Sequence, residues 1–211
     1  MSIKILEFLI PLIPLIGWYF IGDSIYYYNN SDFKIARNLV SAIHALTVIF
    51  FYQMQFSTLY LFYISRGYYI IDSLYELIQM KKNNSIKLYQ LGILLHHALT
   101  IIGLNYLVND LTSHHIYRTY FLAEVSNLPM YLIRYLLHTN INSSNNNKYI
   151  IKGLTIIEFA AYIYFRLILC VPIIISVFKD QNAPNLLRLM SLAMYSISGM
   201  WTYKLFKQVI N

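Results

Sequence analysis

The stretch LYQLGILLHHALTIIGLNYLV, residues 88–108, decides what kind of molecule this is. It holds no Lys, Arg, Asp or Glu, and it is about as long as the roughly 20 residues that carry a helix across a bilayer. Near its centre stand two adjacent histidines, His96 and His97. Imidazoles among Leu, Ile and Ala are costly to hold in hydrocarbon, so the run reads as a membrane helix that carries a site.

Working outward, the same texture recurs along the chain. Of its 211 residues, 58% are hydrophobic and 12% are charged, with a mean hydropathy of +0.50. Soluble domains carry about 25% charged residues, and a greasy helical protein with half that complement lacks the polar residues to coat itself. The reading is an all-α polytopic membrane protein of about seven helices. They run from Ile3 to Ile21, Ile35 to Gln53, Thr58 to Met80, Lys87 to Val108, His114 to Leu137, Tyr149 to Val177 and Asn185 to Gln208. Turn-forming stretches separate them: DSIYYYNNSD, KKNNS, VNDLTS, NINSSNNNK and KDQNAPN. The Asn/Ser-rich patch at 140–147 reads as a flexible loop. Pro11, Pro14 and the missing cleavage pattern make the first span a retained helix rather than a signal peptide.

Charge sets the orientation. Lys34, Arg37, Lys81, Lys82, Lys87, Lys148, Lys152, Lys204 and Lys207 fall on one side, against Lys4, Arg118, Lys179 and Arg188 on the other. By the positive-inside rule the first set is cytoplasmic, the N-terminus lumenal or external and the C-terminus cytoplasmic. The sequons at Asn29, Asn83 and Asn142 then face the cytoplasm and stay unglycosylated. The net charge of +7 is spread among loops rather than gathered, which argues against a nucleic-acid partner. Cys170 is the lone cysteine, so no internal disulfide and no cysteine-based metal cluster can form within one chain. With 21 Tyr and a richness in Ile, Asn and Lys, the composition is biased, and single Asn or Tyr residues carry little weight.

The ionisable residues inside the spans are the informative ones. Arg37, Ser41 and His44 share a face of the second helix; Asp72 and Glu76 stand one turn apart on the third. Thr100 lies within a turn of the His96/His97 pair. The fifth helix carries a polar stripe of Tyr117, Tyr120, Glu124, Asn127, Tyr131 and Arg134, and the sixth adds Glu158 and Arg166. At a rise of 1.5 Å per residue, His44, Asp72, the histidine pair and Glu124 all fall roughly 10–16 Å from the cytoplasmic ends, at one level. Blander roles stand beside the functional one. His44 can satisfy a neighbour, Asp72 can bridge to Arg37, Arg134 can snorkel to the interface, and Glu158 with Arg166 can be a packing pair. Adjacent histidines point about 100° apart, so one at most aims squarely into a given site. Pro129 frees a backbone carbonyl beside Glu124 and predicts a kink.

Two chemistries are set aside. Membrane di-iron sites need HxxxH and HxxHH arrays, which six histidines in other spacings do not provide, so no metal site is expected. A retinal protein needs a lysine in the seventh span, and Leu186 to Tyr203 has none.

Four segments, RNLVSAIHA (37–45), GYYIIDSLYEL (67–77), LLHHALT (94–100) and FLAEVSNLPMYLIRYL (121–136), together resemble the TLC-domain family, which includes the ceramide synthases. The resemblance covers roughly residues 33–208 as a six-helix domain in a TLC-type helical barrel or bundle, leaving residues 1–32 as an additional N-terminal transmembrane helix and loop. It implies an endoplasmic-reticulum or related membrane, a lumenal N-terminus and a cytosolic C-terminus. In the synthases a histidine pair and two aspartates serve catalysis inside a tunnel for acyl-CoA and a sphingoid base. By motif the pair falls on His96 and His97, while the aspartate positions fall on Glu124 and Asn127, of which only the first keeps the acid. The segments around Arg37 and Asp72 look more like the family's non-synthase branch, linked to membrane lipid composition.

The resemblance therefore implies either an acyl-lipid binder of lipid metabolism or an acyltransferase using acyl-CoA as co-substrate. In the second case His96 or His97 would be base or nucleophile and Glu124 would orient it. Arg37, His44, Asp72, Thr100, Asn127 and Tyr131 would line the lipid pocket. Lys81, Lys82 and Lys87 stand where they could draw in CoA phosphates or merely mark the cytoplasmic side. A proton or transport route fits less well, because the lumenal halves of the third and fourth spans are too apolar. An oligomer is compatible with all of these readings, and no C-terminal retention signal is read.

Overall fold

The computed structural model describes residues 12–29, 32–84, 87–108, 112–138 and 145–210. Among these the chain is helical, without a strand. The elements are α1 (Leu12–Tyr28), α2 (Phe33–Gln53), α3 (Thr58–Lys82), α4 (Leu88–Leu104) with a 3₁₀ turn at Asn105–Val108, α5 (Ser113–His138), α6 (Asn145–Ala161), a π-helical segment (Tyr162–Ile168), α7 (Cys170–Lys179) and α8 (Asn185–Ile210). Three stretches are long and apolar enough to cross a membrane: Phe33–Gln53, Gln90–Val108 and Tyr149–Lys179. Helices α3, α5 and α8, of 25, 26 and 26 residues, have the length but carry more polar residues.

Local chemistry explains the ends. Asp32 caps α2, its carboxylate accepting from the backbone N–H of Lys34 (2.8 Å) and Ile35 (3.1 Å). Ser57 caps α3 through the N–H of Leu59 (3.3 Å). Such caps satisfy N–H groups that have no partner inside the helix.

Three expectations change. Helix α1 runs on to Tyr28, so most of the supposed loop DSIYYYNNSD is helical, as a stretch without Pro or Gly permits. Asn145 begins α6, which takes the end of the Asn/Ser patch into a first helical turn, where such residues cost least. The expected single sixth span contains the π segment, with Leu169 N–H donating to the Tyr164 carbonyl five residues back (2.9 Å). Residues 3–11, including Lys4 and Pro11, and parts of all three sequons lie outside the described residues.

The helices α2, α3, α4, α8, the α6–π–α7 rod and α5 contact one another in that order and close into a ring, with α1 packed against α2 and α3. Trp18 anchors α1: it is buried and donates from Nε1 to the Ile64 carbonyl (2.8 Å). Gly67 makes the approach possible, because a Cβ there would sit 3.0 Å from the Leu15 backbone nitrogen. Val48, Leu61, Phe62, Leu104 and Leu107 form the apolar core at one end of the ring. The polar residues of α3 and α5 turn inward between them: Asp72, Glu76 and Glu124 are all buried.

Candidate functional site

The inward polar residues form two adjoining groups. The first lies between α2, α3 and α4. Arg37 grips Asp72 with two hydrogen bonds, Nε to Oδ1 (2.6 Å) and Nη2 to Oδ2 (3.0 Å), and reaches Glu76 with Nη1. Gln90 donates to the other Glu76 oxygen (2.8 Å). His97 completes the group, with Nε2 3.4 Å from Asp72 Oδ2. The Ser73 hydroxyl donates to the Tyr69 carbonyl (2.7 Å), which leaves its oxygen to accept from His97 Nδ1 (3.1 Å). Each charge here has a partner, which a charge removed from water requires.

The second group lines a cavity between α4, α5, the π–α7 rod and α8, with an empty volume of about 990 Å³ counting its open side. One end is polar, walled by His96, Glu124, Asn127, Arg166 and Ser198. The other end, towards the α7–α8 turn, is walled by Leu104, Ile116, Val177, Leu187 and Met190, with His115 at its limit. Tyr69 donates to Glu124 Oε1 (3.0 Å). Asn127 stands between acid and base, its Nδ2 3.5 Å from Glu124 and its Oδ1 accepting from Arg166 Nη2 (2.9 Å) and from the Tyr162 hydroxyl (3.0 Å). His96 Nδ1 is buried with no hydrogen-bond partner among the described residues, and its ring lies 5.7 Å from that of Trp201.

The anticipated site is thus divided. His96, Thr100, Glu124 and Asn127 line the cavity; His97, Arg37 and Asp72 do not. Thr100 donates back to the His96 carbonyl (2.8 Å). His44 is wholly buried between the two groups. Its Nε2 meets Ser65 and Tyr120 (3.2 Å each), its Nδ1 lies 3.8 Å from Glu124, and its ring stacks on Tyr68 at 3.8 Å. Tyr131 is buried outside the cavity, and its carbonyl accepts from Asn38 (2.7 Å). Pro129 sits inside the continuous α5. Among the described residues no group of three or more His, Cys, Asp or Glu side chains is placed to hold a metal ion.

Arg166 is the residue that sequence spacing misassigned. It does not pair with Glu158, which interacts instead with Arg134. Its Nε donates to Ser126 Oγ (2.7 Å) and its Nη2 to the Ala123 carbonyl (3.0 Å). The π segment changes the register of the helix, so spacing counted on an α-helix no longer says which way residue 166 points. The one legible signal was a cation in an apolar span.

At the far end His115 Nε2 lies 3.2 Å from Asp180 Oδ2 in the α7–α8 turn. The Asn182 backbone N–H (2.9 Å) and then His115 hold the Asp180 carboxyl below the usual range.

Comparison with known proteins finds no matching family model, no matching curated protein and no matching solved structure.

Proposed function

We propose that the chain is a seven-span membrane protein of the TLC-domain type that binds an acyl lipid within the bilayer, as part of lipid metabolism or the setting of membrane lipid composition. The observation that carries the reading is the two-ended cavity, polar at His96, Glu124, Asn127 and Arg166 and apolar beyond. A head group and one chain need such a gradient. Seven spans are supported by the lengths of α3, α5 and α8 and by their inward acids. They are supported too by the exposed apolar side chains around the ring, such as Leu46, Leu95, Ile157, Leu189 and Met200, which hydrocarbon would cover. The endoplasmic reticulum or a related membrane, a lumenal N-terminus and a cytoplasmic C-terminus follow from the charge asymmetry and the motif resemblance.

Lipid extraction and mass spectrometry of detergent-purified protein test this. Wild type carries about one chain-bearing lipid per polypeptide, and Met194→Trp, which fills the cavity, loses it. Equal lipid on both proteins overturns the cavity as the site. Glycan on Asn29, Asn83 or Asn142 overturns the topology.

A second reading is favoured by the unpartnered Nδ1 of His96. This imidazole would attack the thioester of an acyl-CoA, forming a C–N bond and expelling the CoA thiolate, and a lipid amine or hydroxyl would then take the acyl group. Intact mass after incubation with acyl-CoA decides it: a gain of one acyl group on wild type and none on His96→Ala supports transfer.

A further inference from the structure

A guanidinium buried in an apolar bundle needs a counter-charge. Two arginines among the described residues stand in opposite circumstances, Arg37 half-buried and Arg166 buried. Arg37 is engaged by both Asp72 and Glu76. Arg166, 5% exposed, has no carboxylate within 4.0 Å among the described residues, where the ion pairs are made by Arg37, His44, His97 and His115. Its hydrogen bonds go to uncharged oxygens of Ser126, Ala123 and Asn127, and its face lies over the Tyr162 ring at 4.6 Å. Its Nη1 makes none of these bonds, and the residue lines the cavity. Glu124 shares the wall and attracts it, but Asn127 stands between them, and Glu124 accepts a hydrogen bond from the Tyr69 hydroxyl and faces His44 on its other side.

The cavity also has a length. Along α5 its wall runs from Asn127 to His115, about 18 Å at 1.5 Å per residue. An all-trans chain advances about 1.3 Å per carbon, given C–C bonds of about 1.5 Å, so the wall matches about 14 carbons. Partway along, Gly103 and Met190 meet on the cavity wall, where a Cβ on residue 103 would lie 3.3 Å from Met190 Cε, so a large side chain there would push into the cavity.

Resting on the lipid-binding reading, we infer that the ligand is a long-chain carboxylate, its head on Arg166 Nη1 and its chain running past Gly103 towards His115. A single negative charge matches this buried cation, which has no carboxylate within 4.0 Å among the described residues. A phosphate monoester would set a second charge beside Glu124, where like charges repel.

Equilibrium binding of radiolabelled tetradecanoate to the full-length protein in detergent tests this, with tetradecanol and tetradecylamine as competitors. The carboxylate is expected to bind wild type at least about tenfold more tightly than the alcohol, the scale of a charge-assisted hydrogen bond. Arg166→Gln should bring the two level. Gly103→Leu should move the preferred chain shorter by two or more carbons and leave the head-group preference intact. Equal binding of acid and alcohol by wild type overturns the inference, and so does tighter binding of the amine, which would assign the head group to Glu124. Neither outcome depends on a variant folding. Failure of every single-chain probe to bind removes the lipid-binding reading itself, a result distinct from loss of head-group preference.

Discussion

His96 and His97 are neighbours in sequence and belong to different regions. His97 closes the ion-pair group of Arg37, Asp72 and Glu76, in which each charge is met by protein. His96 faces the cavity beside Arg166, where the polar groups outnumber their partners. One residue step turns a helix by about 100°, and that step separates a group whose charges meet one another from a group that lines a cavity. A fully partnered buried network rigidifies the core around it, and a buried polar group without a partner is costly to hold.

The largest test of this contrast is Arg37→Ala. It leaves two buried carboxylates without their cation and is expected to cost about 3 kcal/mol or more, read as the loss of thermal stability in detergent. Arg166→Gln, which breaks hydrogen bonds to uncharged oxygens only, should cost lipid-free protein about 1–2 kcal/mol. Equal losses would erase the distinction between the arginines.

The histidines sharpen it at smaller scale. His97→Ala leaves Asp72 and Ser73 short of a partner and should cost about 2 kcal/mol while lipid stays bound. His96→Ala should cost under about 1 kcal/mol and lower lipid occupancy. The reverse pattern in the same two measurements would exchange their roles.

The smallest effect lies at the far end of the cavity, where Asp180 is half-buried. Its carboxyl is held low in the folded chain, first by the Asn182 N–H and then by His115. Its stabilising contribution is therefore present above the ordinary aspartate value of about 4 and disappears as pH falls through the lowered folded value. Asp180→Asn should lie slightly below wild type in thermal midpoint from neutral pH down to about 5, and the gap should close in stronger acid. A gap that widens there would mean that the pair does not act this way.

Much of the architecture was legible because hydropathy and helix length are local quantities. Phe33–Gln53, Gln90–Val108 and Tyr149–Lys179 announce themselves as apolar runs, and the helical rise alone puts His44, Asp72, the histidine pair and Glu124 at one depth. The pairing of Arg37 with Asp72 could be weighed from depth and charge. Arg166 could not, because the π segment that aims it leaves no mark in composition. Nor could the ends of α1 and α6, where weak turn signals at Asp23–Tyr28 and Asn145–Asn147 yield to the continuing helix.

By itself, then, the sequence determined an all-helical chain rich in apolar runs, with its costly polar residues gathered at one level. Hydrocarbon-compatible helices must satisfy their own backbone, which makes that much a property of each segment. Only the tertiary structure decided which polar groups meet. It set Arg37 against two acids and left Arg166 facing a cavity, because the direction of a side chain depends on helix register and on the neighbour packed against it.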